Sequence, residues 1–229
     1  MAKETNELSS NIDFTPSVLG TKSYWDSTYD RELKTYKDIG DVGEIWFGED
    51  RQNRVVDWIE QSSVQMSDPV IDLGCGNGII LTEMRRLGFT DLTGVDYSQG
   101  AIDLAVQIAN AEGFPDIKYQ VVDILSDINT GCPTCLSRQY KVCIDKGTYD
   151  AICLMPDGAD KGRQFYKRNV KSLLQNDGLL VITSCNWTKD QLVLFFETDF
   201  ELFDEIKTPS FQFGGKTGNT VTSLIFKRK

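Results

Sequence analysis

The chain has 229 residues, 40% of them apolar, which is enough to form one folded domain without disulfides or metal ions. It carries 24 basic and 34 acidic residues, and the net charge of −10 disfavours nucleic acid or an anionic membrane as a partner and suits a basic one. It contains no histidine, which excludes Ser-His-Asp and Cys-His nucleophiles, histidine metal sites and histidine proton transfer.

The N-terminal part of the chain is predicted to hold two helices that precede the main fold. Residues 1–22 are polar and lack periodicity, which is typical of a flexible tail. From 23 to 37, aromatic and apolar residues recur at helical spacing and predict a short amphipathic helix. After a loop rich in glycine and aromatic residues, a second helix is expected to begin near Glu49. We therefore expect a helical cap at 23–66.

Beyond the cap, a core domain is expected at 67–229, where short apolar runs alternate with helical patterns. Because nearly every residue of the inner runs is apolar, we expect an α/β fold with a mostly parallel sheet that helices cover on both faces. No helical pattern separates the last two runs, so these strands should be antiparallel. The runs predict strands at 70–73, 92–96, 117–122, 140–144, 178–184, 200–206 and 221–226.

Local signals predict where helices and turns begin or end. Ser98 is expected to cap the helix after the second strand, and Thr188 with Gln191 forms a capping-box pattern. The Asn-Asp-Gly sequence at 176–178 is expected to end the helix before the fifth strand. The Gly-Lys-Thr sequence at 215–217 predicts a hairpin turn between two late strands.

The cysteines are predicted to be thiols in a reducing compartment. No apolar run approaches the roughly 18–20 residues that span a bilayer, and the first residues lack the apolar stretch of a secretory signal. A cytoplasmic location is expected, with the nucleus as an alternative. Cys132 and Cys135 lie in a polar segment at 126–139, which is predicted to be a surface insertion. They resemble half of a zinc or redox site, but nothing completes a ligand set, so no metal is predicted. The remaining four cysteines are expected in the core, namely Cys75, Cys143, Cys153 and Cys185.

The loop after the first strand carries the strongest ligand signal. In an open parallel sheet, ligands bind beyond the carboxyl ends of the strands, where the strand order reverses. The loop reads Asp-Leu-Gly-Cys-Gly-Asn-Gly at 72–78. Ile79 replaces the third glycine of a dinucleotide loop, and Ser210 replaces the first glycine of a P-loop ending at 215–217. The pattern D-x-G-x-G-x-G fits without exception and resembles the cofactor loop of class I S-adenosylmethionine-dependent methyltransferases.

The acidic strand ends suit S-adenosylmethionine on physical grounds. This ligand has no phosphate and needs no cationic cradle, while its ammonium and sulfonium groups favour acidic or aromatic surroundings. Its ribose hydroxyls can donate to Asp96, its adenine amino group can donate to Asp123, and its adenine ring can lie along Tyr97. Turn formation or helix capping is the alternative role for Asp72, Asp96 and Asp123, although their clustering at consecutive strand ends favours ligand binding.

A longer series of motifs resembles one narrower family. In chain order the motifs are YWDSTYDREL (24–33), GDVGEIWFGED (40–50), VIDLGCGNG (70–78), GVDYS (94–98), CIDKGTYDAI (143–152), ITSCNWTKDQL (182–192) and FGGKTGN (213–219). Together they resemble the elongation factor 1-alpha lysine methyltransferases over about residues 16–229. The resemblance implies a single Rossmann-like class I methyltransferase domain with strand order 3-2-1-4-5-7-6 and strand 7 antiparallel. The segment at 126–139 departs from the family pattern.

The resemblance also implies a set of cofactor-binding residues. Trp25, Tyr29 and Trp46 are expected to close over the cofactor, although core packing is an alternative for these rings. The backbone of Lys146 is expected to meet the cofactor. The complete expected set is Trp25, Tyr29, Trp46, Asp72, Gly74, Gly76, Gly78, Asp96, Tyr97, Asp123, Ile124 and Lys146.

The implied reaction is methyl transfer to a lysine amine, which requires no histidine. The amine must be neutral, and loss of its proton at pH 7 costs about 4.6 kcal/mol for a pKa near 10.4. Catalysis then consists mainly of aligning the two reactants. Asp145 is expected to orient the amine or pass its proton to water, and Asn186 and Trp187 are expected to line the acceptor channel. Capping of the following turn is an equal alternative for Asp145.

The implied partner is a basic protein, elongation factor 1-alpha. We expect a monomer that binds neither nucleic acid nor membrane, although charge alone names no partner. The chain lacks the N/D-P-P-Y sequence of enzymes that methylate exocyclic base or glutamine nitrogens. Two alternatives stay open, namely a small-molecule methyltransferase and a non-catalytic scaffold subunit with the same fold.

Overall fold

Two helices precede the sheet, as the sequence predicts. The computed structural model describes residues 14–126, 134–207, 211–213, 216–218 and 221–229. Helix α1 comprises Lys22–Ile39 and helix α2 comprises Glu49–Gln61. The first ends at Gly40, whose left-handed conformation is typical of a helix C-terminus.

Residues 14–21 pack against the rest of the protein, so the predicted flexible tail is wrong for its described part. The Ser17 backbone N–H donates to the Leu154 carbonyl at 3.1 Å. The Phe14 ring packs against Trp187, with 5.1 Å between ring centroids. One aromatic ring and a few backbone hydrogen bonds anchor this segment, and neither leaves a periodic pattern in the sequence.

Seven of the nine described strands form one sheet. The strands are β1 (Val70–Leu73), β2 (Leu92–Asp96), β3 (Lys118–Val121), β4 (Tyr140–Lys146), β5 (Leu174–Ser184), β6 (Phe200–Glu205), β7 (Phe211–Phe213), β8 (Lys216–Gly218) and β9 (Thr222–Arg228). The sheet order is β3-β2-β1-β4-β5-β9-β6, in which β9 is the seventh strand of the sheet along the chain. It runs antiparallel to both of its neighbours, while the other pairs are parallel. The expected order and the antiparallel seventh strand are confirmed. The remaining two strands, β7 and β8, pair with each other in antiparallel fashion. Lys216 and Thr217 of the predicted turn lie in β8 instead, and Gly215 lies outside the described residues.

Helices cover both faces of the sheet, which confirms the predicted fold class. Alternate side chains of β1 enter two different apolar clusters, Ile71 and Leu73 on one face and Val70 on the other. Over the described residues, none of the helices combines the length and apolar content needed to cross a membrane. The helices of the core are α3 (Ile79–Arg86), α4 (Gln99–Ala111), α5 (Thr148–Cys153), α6 (Ala159–Leu173) and α7 (Lys189–Phe196).

The two predicted helix caps have different outcomes. Thr188 and Gln191 form the complete capping box at α7, with Thr188 N–H donating to Gln191 Oε1 at 2.9 Å. Ser98 does precede α4, but its hydroxyl makes no capping hydrogen bond. Its backbone N–H instead donates to Asp96 Oδ1 at 2.9 Å. The expected role of the Ser98 side chain is therefore wrong, and the carboxylate of Asp96 orders this turn.

The Asn-Asp-Gly sequence does not end a helix, contrary to the prediction. Helix α6 already ends at Leu173, and Leu174 pairs with Tyr140 at the start of β5. The register then shifts, and Asp177 takes a left-handed conformation with φ of 66°. A left-handed residue suits an irregularity in a strand as well as a helix end, so the local sequence does not separate the two.

Part of the predicted surface insertion enters the core. Cys135 and Leu136 are buried, and the Tyr140 hydroxyl donates to the Cys135 carbonyl at 2.8 Å. Cys132 lies outside the described residues. The segment is polar in composition, but Cys135 and Leu136 belong to the apolar cluster that contains Tyr140.

Candidate active site

A cavity opens at the carboxyl ends of the central strands, where the strand order reverses between β1 and β4. It has about 860 Å³ of empty space, including its open mouth. Helix α1 and the loop before α2 contribute to its wall. The predicted site residues that line it are Trp25, Tyr29, Trp46, Gly74, Gly76, Asp96, Tyr97, Lys146 and Asn186.

The loop after β1 needs glycine for its backbone and for close packing. Gly74 and Gly76 have φ of 68° and 53°, in the left-handed region that favours glycine. A Cβ at Gly74 would lie 2.0 Å from Thr148 Oγ1. A Cβ at Gly76 would lie 2.4 Å from Tyr29 Oη. The two glycines therefore let α5 and α1 approach the loop at the floor of the cavity.

Asp96 is held rigidly at the end of β2. Its Oδ2 accepts from the Gly76 N–H at 3.1 Å and its Oδ1 accepts from the Ser98 N–H. Burial raises the pKa of this carboxyl to about 6, while the two backbone hydrogen bonds act in the opposite direction. Each oxygen keeps a second lone pair, so this placement suits the contact with ribose hydroxyls expected of Asp96. Tyr97 lines the cavity beside it.

Three aromatic rings form another part of the cavity wall. Trp25 stacks on Tyr29 with 6.0 Å between centroids and meets Trp46 edge-on at 5.0 Å. The Trp25 indole N–H donates to the Leu19 carbonyl at 2.7 Å. The rings therefore pack on one another and also face the cavity, so the two roles considered for them are compatible.

The loop before α2 is fastened to the core by two side chains. Lys146 Nζ donates to the Trp46 carbonyl at 3.0 Å, and Asn77 Nδ2 donates to the Val42 carbonyl at 3.1 Å. Burial lowers the pKa of Lys146, while the charge of Asp72 opposes this shift. The sequence predicted a role for the Lys146 backbone only, and it did not single out Asn77.

Asp72 and Gly78 lie behind the cavity wall. Asp72 is buried, and burial raises its pKa to about 7 while the charge of Lys146 opposes the shift. Gly78 faces helix α4 and β3, where a Cβ would lie 2.5 Å from Tyr119 Oη. Both residues support the loop from behind, and neither lines the cavity.

The end of β3 does not reach the cavity wall. Asp123 is exposed, and its Oδ1 accepts from the Leu125 N–H at 2.8 Å, as in the turn-forming alternative. Ile124 is buried in the core, and its carbonyl accepts from Asn169 Nδ2 at 2.6 Å. The expected adenine contact of Asp123 and the expected cofactor contact of Ile124 stay predictions.

Asp145 has the contacts of the capping alternative. It is fully buried, and its Oδ1 accepts from the N–H groups of Thr148 and Tyr149 at 3.0 and 3.2 Å, at the start of α5. Its Oδ2 accepts from the Tyr166 hydroxyl at 2.5 Å. Burial raises the pKa of Asp145 to about 7. It does not line the cavity, so its expected contact with a substrate amine stays a prediction.

Trp187 lies in the core rather than along the cavity. Its indole N–H donates to Cys153 Sγ at 3.3 Å, and its ring packs against Tyr149 and Phe195 at 5.3 and 5.8 Å. The neighbouring Asn186 does line the cavity. Of the two residues expected in the acceptor channel, the structure brings only Asn186 to it.

Asp150 is a lining residue that sequence reasoning missed. It is 5% exposed; its Oδ1 accepts from the Ser184 hydroxyl and its Oδ2 accepts from the Cys185 N–H at 2.8 Å. Cys185 is exposed and lines the cavity, so its predicted place in the core is wrong, whereas Cys75, Cys143 and Cys153 are buried as expected. The available signal was an acid shortly after Asp145, but α5 is only six residues long and has no readable period.

The charges around the cavity favour a cationic ligand. Among the described lining residues, Glu44, Asp96 and Asp150 are acidic, and Lys146 is the single basic side chain. The negative charge of a phosphate-bearing nucleotide is less well matched to this excess of carboxylates. An ammonium and a sulfonium suit the combination of carboxylates and aromatic faces. Over the part of the chain that the structure describes, no three Cys, Asp or Glu side chains are grouped to hold a metal ion.

The sheet order, the glycine loop and the acid at the end of β2 define a class I, Rossmann-like methyltransferase. A family model described as a methyltransferase domain matches residues 65–221. The N-methyltransferase NodS from Bradyrhizobium japonicum, solved in complex with S-adenosyl-L-homocysteine, shares the fold with a TM-score of 0.63. It is 15% identical, and the match covers 89% of this chain and 98% of that one.

Several curated relatives match nearly the whole chain, among them the following two. EEF1A lysine methyltransferase 2 from Danio rerio is 49% identical over 94% of this chain and 90% of its own length. Protein-lysine N-methyltransferase EFM4 from Saccharomyces cerevisiae is 36% identical over 97% of this chain and 100% of its own length. The chain belongs to the elongation factor 1-alpha lysine methyltransferase family.

Proposed function

We propose that this chain transfers a methyl group from S-adenosylmethionine to the Nε atom of a lysine in elongation factor 1-alpha. The observation that carries this proposal is the acid- and aromatic-lined cavity, with one basic side chain among its described walls, at the reversal point of the sheet. The names of the relatives support the choice of a lysine in that substrate.

The residues at the β1 and β2 ends would hold the cofactor. S-Adenosylmethionine supplies a methyl group on a positively charged sulfur. Asp96 would accept from its ribose hydroxyls, and Tyr97 would lie along its adenine. The rings of Trp25, Tyr29 and Trp46 would cover it and exclude water, and they face cationic groups with π-electron density.

The residues at the β4 and β5 ends would receive the substrate lysine. Burial at this end favours the neutral amine, by the same effect that lowers the pKa of Lys146 in the cavity wall. The neutral amine would supply the electron pair of the new N–C bond while the methyl–sulfur bond breaks and its electron pair stays on the departing, now uncharged, thioether sulfur. The methylated ammonium would then lose one proton to water. Asn186 would contact the amine, while Asp145 would hold the start of α5 in place. Alignment of this kind can account for roughly 7–11 kcal/mol of the barrier.

We further infer that the protein acts as a cytoplasmic monomer that binds neither nucleic acid nor membrane. Its net charge of −10 supports a basic protein partner, because opposite charges accelerate encounter. Light scattering of the purified chain would test the monomer, and cell fractionation would test the location. A dimer at working concentration, or recovery with membranes, would contradict this part of the proposal.

Methyl transfer is tested with purified chain, S-adenosylmethionine labelled in its methyl group, and purified elongation factor 1-alpha. We expect label on one protein band and, by mass spectrometry, on a lysine whose replacement by arginine abolishes labelling. Asp96→Asn should lose most of the activity, whereas the charge-matched surface variant Asp57→Asn should keep it. Label in a protein-depleted metabolite pool would instead indicate a small-molecule acceptor. Cofactor binding without any transfer would indicate a scaffold.

A further inference from the structure

Asp150 lies in a hydrogen-bond network that the proposed reaction does not yet use. The network joins α5, which follows β4, to the turn at 184–187, which follows β5. Asp150 accepts from the Ser184 hydroxyl through one oxygen and from the Cys185 N–H through the other. It thus fixes two successive residues of the turn at the mouth of the cavity.

Ser184 extends this network to the rest of the turn. Its Oγ accepts from the Asn186 N–H at 3.1 Å and from the Trp187 N–H at 3.0 Å. Because that hydroxyl donates its own proton to Asp150, one carboxylate sets the direction of three backbone N–H groups. Trp187 is also packed in the aromatic core, so the turn is held at both of its ends.

This arrangement fixes the backbone of Asn186 and leaves its carboxamide incompletely bonded. This side chain lines the cavity, and its Nδ2 is inaccessible to solvent and has no hydrogen-bond partner among the described residues. Buried polar groups are almost always bonded in native proteins, so an unbonded one in a cavity wall indicates a missing ligand. Rotation of the amide by about 180° presents Oδ1 at the same point, where it can accept from an amine N–H.

The position in the sheet separates this network from the donor end of the cavity. Asp96 ends β2 and Tyr97 follows it, while Asp150 and Asn186 follow β4 and β5 on the other side of β1. The carboxylate at each end therefore faces a different part of whatever occupies the cavity.

We propose that Asp150 is the positioning residue for the substrate lysine: it fixes the 184–187 turn and thereby holds the Asn186 carboxamide where the target amine enters. The negative charge of Asp150 also favours the incoming cationic side chain over neutral ones. The proposal rests on the proposed protein-lysine methylation and assigns its acceptor site. The role of orienting the substrate amine, which the sequence suggested for Asp145, is thereby assigned to Asp150.

The test compares Asp150→Asn and Ser184→Ala with Asp57→Asn, which removes one exposed acid on α2. Initial rates are measured at saturating S-adenosylmethionine with varied elongation factor 1-alpha, and cofactor affinity is measured separately by calorimetry. For Asp150→Asn we expect kcat/KM for elongation factor 1-alpha to fall by roughly 10- to 100-fold, because a hydrogen bond to a charged group is lost. Ser184→Ala should lower kcat/KM for the protein substrate as well. The cofactor Kd of both variants should change by less than about threefold.

Several results would overturn the assignment. If cofactor affinity falls by the same factor as kcat/KM, Asp150 serves the donor. If the loss disappears at a temperature where thermal unfolding shows the variants fully folded, the role is structural only. If Asp150→Asn and Ser184→Ala both match Asp57→Asn, the network does not position the acceptor. An inactive wild-type chain would refute the proposed function itself, which is distinguishable from all three results.

Discussion

Replacing Gly76 by alanine tests the close contact between the glycine loop and helix α1. The new Cβ would lie 2.4 Å from Tyr29 Oη, so the tyrosine ring must move by about 1 Å to reach an ordinary contact distance. The left-handed backbone at φ of 53° adds a cost of roughly 1–2 kcal/mol for a residue with a Cβ. Overpacking adds roughly 1–3 kcal/mol. We therefore expect Gly76→Ala to lower the free energy of unfolding by about 2–5 kcal/mol.

The two contributions can be separated with matched variants. Gly113 has φ of 80°, and a Cβ there meets nothing within 4 Å, so Gly113→Ala should show the backbone cost alone. In the double variant Gly76→Ala/Tyr29→Phe, the clashing hydroxyl is absent and the nearest remaining ring atom lies 3.2 Å away. The loss in the double variant should therefore approach that of Gly113→Ala.

Thermal unfolding and calorimetry provide the measurements. At this chain length, 1 kcal/mol corresponds to roughly 2–4 °C, so Gly76→Ala should melt about 4–20 °C below the wild type. Because Tyr29 lines the cavity, its displacement should also raise the Kd for S-adenosylmethionine. Wild-type stability in Gly76→Ala would refute the reasoning. An equal loss of stability in Gly76→Ala and in Gly76→Ala/Tyr29→Phe would refute it as well.

Three further predictions concern single groups. Asp96→Asn should weaken S-adenosylmethionine binding roughly 10- to 100-fold. Since the pKa of Asp96 is raised to about 6, wild-type affinity should fall from pH 7 to pH 5 while that of Asp96→Asn stays flat, as titration calorimetry at each pH would show. Thr188→Ala removes the capping box of α7 and should lower stability by about 1 kcal/mol, with kcat unchanged; an unaltered melting temperature would contradict it. Burial raises the pKa of Asp72 to about 7, above its unfolded value, so the folded state binds more protons below that pH. The wild type should therefore melt higher at pH 5.5 than at pH 8, and Asp72→Asn should reduce that difference.

The sequence predicted the layers and most of the donor side of the site. The apolar runs can be read locally, because a strand that is buried on both faces restricts its residues to apolar types. The loop at 72–78 can be read locally as well, because its left-handed positions favour glycine. The resemblance added the strand order and the aromatic wall of Trp25, Tyr29 and Trp46, which the structure brings together.

The acceptor side could not be predicted in the same way. Asp145 and Asp150 lie five residues apart in one motif, and either could have faced the cavity. The short helix α5 decides between them, since Asp145 accepts from its first N–H groups while Asp150 projects from it to the turn after β5. Trp187 and Asn186 are separated in the same manner, one packed in the aromatic core and the other on the cavity wall.

The sequence by itself therefore determined the seven strands of the main sheet and the glycine loop after β1, because those features depend on neighbouring residues. Only the tertiary structure decided which carboxylate reaches the cavity and which aromatic ring stays in the core. It also decided that residues 14–21 pack against the folded domain. These outcomes depend on contacts between elements far apart in the chain, such as Asp150 with Ser184 and Lys146 with Trp46. Such contacts arise from packing, which no local pattern of residue types encodes.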